Sequence, residues 1–550
     1  MSPLAPPPGA RSALWQLWLV LGAGLLLLAW LLPVNVKSLN TALLREAGRD
    51  TPTAARFGLD LLELDKPGPA ALVLAAARKV NDPGVAALNA SYDAFAAKHR
   101  EMIPWGGWDL ALEPLLASRG ANAPAESQPV LLFLVTQQAR DNLRRYLSVS
   151  RLPAVQTLLK TAELTTVKRF LPATRPGGQP LDAVILLTGY LWQTEHLSAS
   201  LQREVRALAE NATATGQMGE LEDFYLDILT LGRKLNWVQL SELLRTTGSL
   251  GTVGQFAHLS RVAPEHLPVI YTAALMTRSA DTVAHYLIAF GQPGAENLQL
   301  ALSYGEGAVQ QLVLRQVPVT RGAGPEFEFG AAFTLRYPEY ALLVKYASFL
   351  GGIFLVLRAV DLRLFFSIES ALRSGFPKMG SGLISAILTF IFFVFSEPFL
   401  LRAAPVSDYK IKLTIPVLGA LAGPATRSTP TTHMELSTIL SICLFACLQL
   451  SMYVICLLKI SEIARQKLPA VTKLRLLENE ENLFDGGLYL GIAGTASALV
   501  LQVLGVIDAN LLAAYSSNLF GIVCVALVKI RHVRPNKRQL ILEIQQAATA

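Results

Sequence analysis

The sequence predicts an all-α protein that crosses a membrane six times and carries a large, α-solenoid-like helical domain on the extracytoplasmic side, between spans one and two. Three observations predict it. Apolar runs of spanning length recur along the chain. Of its 550 residues, 52% are hydrophobic and only 16% charged, too apolar a balance for an ordinary soluble protein. The long stretch 33–339, by contrast, contains no run that is both long and apolar enough to cross a bilayer, and its turn signals and helical periodicity are those of a water-exposed domain.

Residues 1–12 form a Pro-rich leader with the single cation Arg11, expected in the cytoplasm. The apolar run 13–32 follows, with Trp15, Trp18 and Trp30 in it. It is longer than the core of a signal peptide and is followed by PVNVKS rather than an A-x-A-like site, so it reads as an uncleaved transmembrane anchor. With Arg11 inside, the chain emerges on the far side.

In the domain 33–339, the breaks at Asp65-Lys66-Pro67-Gly68 and Asn81-Asp82-Pro83-Gly84 separate short helices, and further helices are expected over 130–146, 154–170 and 181–208. A repeat is clearest over 220–316. Segments aligned on Leu221, Val253 and Val283 place an aromatic residue three positions later, at Phe224, Phe256 and Tyr286. Each is followed by a second helix, with a partial further copy around Val309 and Leu312. A period near thirty residues is that of stacked helical pairs. Residues 317–333, rich in Gly and Pro, predict a loop or short strand returning to the membrane.

Five more spans are expected at 340–357, 382–401, 436–458, 487–507 and 511–528. Each approaches the roughly 20 residues that a helix needs to cross a ~30 Å hydrocarbon layer. Basic residues cluster in the loops 358–381 and 459–486 and in the tail 529–550, which marks these as cytoplasmic and puts the loop 402–435 outside. Much of the net charge of +7 lies in such flanks, so nucleic acid is not an expected partner. All four cysteines, Cys443, Cys447, Cys456 and Cys524, fall within apolar runs, and the helical domain has none with which to form a disulfide.

The last two spans are joined only by Asp508, Ala509 and Asn510, which makes them an antiparallel hairpin. Gly487 and Gly491 precede Thr495 at intervals of four, and Gly494 with Ala498 forms a second such pair. Small residues at that spacing let membrane helices approach closely, so these positions are read as helix packing. Thr495, Ser516, Ser517 and Gln502 are the candidate polar or pore lining. Lys345, Glu397 and Asp485 lie near span ends, within snorkelling reach of water. Glu397 is a candidate cation ligand or a partner for Arg402 one turn on.

The motifs LGIAGTASALV and LAAYSSNLFGIVCVAL of this hairpin resemble the last two spans of the MotA/TolQ/ExbB proton-channel family. The resemblance covers about residues 484–534. It implies a polar lining that includes Thr495 and the Ser516/Ser517 pair, an oligomer, and a carboxylate supplied by a partner subunit. The chain departs from the family in its short cytoplasmic region before the hairpin, in lacking a proline near the end of the last span, and in its solenoid and extra spans.

No phosphate loop, nucleophile elbow, H-E-x-x-H helix or paired C-x-x-C occurs in the sequence. The seven histidines are scattered; His258 and His285, on neighbouring repeats, lack a third ligand. No catalytic residue, metal or cofactor is therefore expected. The sequence reads as a non-enzymatic, multi-pass protein of a bacterial inner membrane, with both termini in the cytoplasm and a protein or envelope partner on its periplasmic domain. An oligomeric ion-conducting subunit is the alternative, and a permease component working past Glu397 is the third reading.

Overall fold

The computed structural model describes residues 8–112, 126–320, 328–364, 385, 388–389, 397, 409, 436–503 and 511–549. The protein is overwhelmingly helical. Among the described residues, strands are limited to the two-residue pieces Leu39–Asn40 and Val319–Thr320. The chain divides into two compact units, Met1–Ala42 with Thr320–Ala404 and Pro416–Ala550, and Leu43–Val319 with Pro405–Ile415.

The helices, in chain order, are α1 (Pro8–Leu31), α2 (Thr41–Gly48), α3 (Ala54–Glu63), α4 (Pro67–Lys79), α5 (Val85–Lys98), α6 (Gln137–Ser148), α7 (Pro153–Lys160), α8 (Gln179–Gln193), α9 (Ala199–Thr215), α10 (Glu220–Gly232), α11 (Trp237–Arg245), α12 (Leu250–Val262), α13 (Leu267–Thr277), α14 (Ala280–Tyr304) and α15 (Glu306–Arg315). They continue with α16 (Glu328–Arg336), α17 (Pro338–Leu364), α18 (Leu436–Arg465), α19 (Ala470–Asn479), α20 (Gly486–Val503), α21 (Leu511–Ala526) and α22 (Arg534–Thr549), with a single helical turn, Glu481–Phe484, before α20 and a π-helical turn, Leu527–Val533, between the last two.

In the first unit, three helical stretches are long and apolar enough to cross a membrane: Pro338–Val360, Ile442–Arg465 and Tyr515–Gln546. A shorter apolar stretch, Trp15–Leu31, lies in α1. α1 packs along α17. A Cβ on Gly22 would stand 3.0 Å from the Gly352 carbonyl oxygen, and one on Gly352 3.0 Å from that of Gly22, so two glycines allow the backbones to meet. Beyond the end of α1, Leu32 and Val34 pack on Ala341. Rising numbers on one helix thus meet falling numbers on the other, and the pair is antiparallel. α20 and α21 form a second pair with α18 packed on both. At one end of this trio, Cys456, Ile460, Leu477, Phe484, Val528 and Val533 share a core, and Lys529 Nζ holds both oxygens of Asp485, at 2.6 and 2.9 Å. Of the span expected at 382–401, only Ser385, Leu388, Thr389 and Glu397 are described. The hairpin turn and nearly all of the loop 402–435 lie outside the described residues.

The second unit is built on capped helices around an aromatic core. Thr53, Thr136, Ser198, Ser249 and Ser279 each accept an N–H from the first turn of the helix that follows, and Asn236 forms a reciprocal capping box with Gln239. The repeat anchors Leu221, Val253 and Val283 are buried, as are Phe224, Phe256 and Tyr286. Their helices stack in order, α8 on α10, α10 on α12 and α12 on α14, while α11 packs on α13 and α13 on α15. α4 covers parts of α11 and α13. Three expected helices are divided. The stretch 130–146 opens as a 3-10 segment, Val130–Leu134, before α6, and 154–170 ends as a helix at Lys160 with one 3-10 turn after it. The stretch 181–208 breaks between α8 and α9, where Glu195 takes a left-handed φ of 58° and so leaves the helix.

Candidate functional site in the apolar helices

Among the described residues of the first unit, two polar constellations involve the residues singled out from the sequence. One surrounds the residues that leave α1. Val34, Asn35 and Val36 belong to no helix or strand, so their backbone groups, the buried Val34 carbonyl above all, need partners from elsewhere. Lys345, on the second turn of α17, donates to the Val34 carbonyl and, at 3.2 Å, to Asn35 Oδ1. Glu397 accepts the Val36 N–H on Oε2 at 2.8 Å and the Tyr346 hydroxyl on Oε1. Asn35 Nδ2 in turn donates to Ser38 Oγ at 3.0 Å, and the Thr320 hydroxyl donates to the same Ser38 oxygen at 2.7 Å.

Lys345 is only 8% exposed and Glu397 3%. Both had the reach to snorkel, yet both turn inward onto the backbone just past α1. Arg402, the expected partner of Glu397, lies outside the described residues. Sequence reasoning passed over Asn35, Ser38, Thr320 and Tyr346. The available signal was the polar run that follows an apolar span, but its partners lie about three hundred residues away, beyond any local pattern.

The second constellation is the contact of α18, α20 and α21. A Cβ on Gly491 would lie 3.0 Å from the Ser517 carbonyl oxygen and 3.3 Å from Asn518 Cα; one on Gly487 would lie 3.0 Å from Cys524 Sγ; and one on Gly494 would strike Ser517 Oγ. Thr495 Oγ1 donates to the Gly491 carbonyl at 3.0 Å, and Ser517 Oγ donates to the same oxygen at 3.3 Å. Ser517 is buried and Ser516 half-buried. Gln502 and Ala498 lie on α20. Gln449, in the middle of α18, was not singled out from the sequence, although a lone amide in an apolar span is itself a signal. It is buried, and its Nε2 donates to the Gly487 carbonyl at 3.0 Å. Its Oε1 and the Oδ1 of Asn518 are buried acceptors without a hydrogen-bond partner among the described residues.

Among the described residues of the second unit, His196 is the centre of a buried network. His196 Nε2 lies 2.6 Å from Asp109 Oδ2, which also accepts from Trp237 Nε1 at 2.9 Å; Arg245 Nη2 lies 2.6 Å from His196 Nδ1. A guanidinium can only donate, so Nδ1 is the acceptor and the ring proton sits on Nε2, facing Asp109. Glu242 continues the chain to Arg245 and Lys66, 3.0 Å from each. With both ring nitrogens engaged, this arrangement orders the ring rather than offering it to a substrate. Elsewhere His258, lowered in pKa by burial and then by Arg261, faces the backbone of Tyr409, while His285 is exposed.

No family model, curated protein or solved structure matches this chain.

Proposed function

We propose that the chain is a non-enzymatic, multi-pass protein of a bacterial inner membrane. Its helical unit, an α-solenoid held in the periplasm, captures a protein or envelope partner, and six spanning helices anchor it and transmit the contact. The observation that carries this reading is the antiparallel contact of α1 with α17 through Gly22 and Gly352. The unit Leu43–Val319 is inserted between these two helices, so its entry and exit are held at one end of a single helix pair. A domain tethered at both ends to neighbouring helices delivers load to them as a couple, which suits a receptor or scaffold better than a freely swinging module does. The stacking of α10, α12 and α14 supports the solenoid, and with α4 covering parts of α11 and α13 the partner is expected on the α12 and α14 side.

The test is a photo-crosslinking residue at the exposed His285 of the full-length protein in cells, with a topology reporter inserted at Gly216. A discrete partner adduct together with an extracytoplasmic reporter signal supports the reading. A reporter active only in the cytosol overturns it.

A second reading, an oligomeric ion-conducting subunit with Thr495, Ser516 and Ser517 in its lining, is favoured by the buried acceptors Gln449 Oε1 and Asn518 Oδ1, unpartnered among the described residues. Proton flux in vesicles that falls in Thr495→Val would raise it above the first.

A further inference from the structure

We infer that Asn35, Ser38, Thr320, Lys345, Tyr346 and Glu397 form a latch through which the two connecting segments of the helical unit are held, and released, together. The latch deepens the reading above and rests on it for the load it would carry.

Three features of the geometry lead to this. First, the hydrogen bonds form one chain. Thr320, on the segment leaving the helical unit, donates to Ser38 on the segment entering it; Ser38 accepts from Asn35; Asn35 accepts from Lys345 of α17. Displacement of either connecting segment therefore acts on the same lysine. Second, the Val34 carbonyl and the Val36 N–H are held by two ionisable side chains from distant segments, not by a helix or ladder. Losing either side chain strands a backbone group that is costly to leave unpaired.

Third, the residues chosen are poor choices for permanent glue. A buried ammonium and a buried carboxylate each carry a desolvation penalty that well-packed apolar side chains would avoid. Both lie near the end of an expected span, Lys345 two turns inside the start of α17 and Glu397 four residues before the end of the run 382–401, so solvation at a membrane edge is the alternative to their inward bonds. Two matched states, one with the charges bonded inward to the backbone and one with them solvated, make a bistable element. Partner capture that pulls on residues 37–42 or on Thr320 would bias it toward release.

The test uses Val34→Cys in the full-length protein in native membranes. Val34 is only 1% exposed, so a membrane-impermeant maleimide reaches the thiol only when the latch opens; the unmodified chain supplies the background of the four native cysteines. Lys345→Met, Glu397→Gln and Thr320→Val, each added to Val34→Cys, are expected to speed labelling about tenfold or more, the effect of stranding one buried hydrogen-bonding group. Rates within twofold of Val34→Cys alone in all three overturn the proposal.

Where a variant fails to accumulate, hydrogen exchange on the unmodified protein decides. A Val36 amide protected, but less so than the interior of α17, supports a latch that opens. An amide either unprotected or as slow as that interior overturns it. Failure here leaves the crosslinking assay at His285 unaffected, since that assay reads partner capture by the helical unit alone.

Discussion

Thr495 and Ser517, on the two helices of the C-terminal hairpin, donate their hydroxyls to one acceptor, the carbonyl oxygen of Gly491. The Thr495 bond is a turn of its own helix; the Ser517 bond crosses the pair. It can form because Gly491 has no side chain to hold the Ser517 backbone away. The two hydroxyls named as lining residues are thus bonded within the helix contact, and they are separable by experiment from the glycine that brings them together.

Gly491→Val is expected to lower the thermal midpoint of the detergent-solubilised protein far more than Thr495→Val or Ser517→Ala. The added side chain meets backbone atoms, at 3.0 Å on Ser517 and 3.3 Å on Asn518, that cannot rotate aside. Overpacking of this kind costs about 1–3 kcal/mol, whereas one hydrogen bond between membrane helices averages ~0.6 kcal/mol. Equal midpoints for Gly491→Val and Thr495→Val would refute close packing at this point.

His196→Phe removes the centre of the network that joins Asp109 to Arg245, leaving a carboxylate and a guanidinium without the imidazole between them. The expected loss is about 1–2 kcal/mol, the scale of two interrupted hydrogen bonds whose outer partner, Arg245, is half exposed and keeps Glu242. His196→Gln keeps an N–H for Asp109 and an acceptor for Arg245, and should lose less than half as much. Denaturant unfolding followed by tryptophan fluorescence suits the comparison, because Trp237 donates to the same Asp109 oxygen. The idea fails if the two variants unfold alike.

Much of the helical unit was legible because its signals are local. Ser249 and Ser279 cap the repeat helices that begin at Leu250 and Ala280, and the aromatic residue three positions beyond each anchor is buried as its spacing predicts. The division of 181–208 into two helices was not legible, since TEHLS contains no glycine or proline to announce a break and Glu195 supplies the left-handed residue instead. Position within a span gives the reach of a side chain such as Lys345 or Glu397 but not its destination. That destination is set by the packing of α1 on α17, which brings Asn35 beside Lys345 across 310 residues of chain. For Gly487, Gly491 and Gly494 a four-residue period reports on one helix face whatever its partner, and a Cβ at each would come within 3.0 Å of an α21 atom.

The pH dependence of the helical unit should carry a contribution from Asp227 on α10. Burial pushes its carboxyl up to about 6, with Asp223 acting in the same sense and Arg261 and Arg169 opposing. An unfolded aspartate titrates near 3.9, so between about pH 4 and pH 6 the folded chain holds a proton that the unfolded chain has released. Stability from this group is therefore complete below about pH 4 and declines as pH rises through about 6. Asp227→Asn keeps the side-chain shape and removes the charge. The variant should melt above the wild-type protein at pH 7.5, and the gap should close as pH is lowered to 4. Taking the difference between the two proteins at each pH cancels the titration of every other group, including Asp223, which stays in both. A gap that holds constant from pH 4 to pH 8 would mean that Asp227 is as well solvated in the folded chain as in the unfolded one, and that the side of α10 facing Gly254 is open to water.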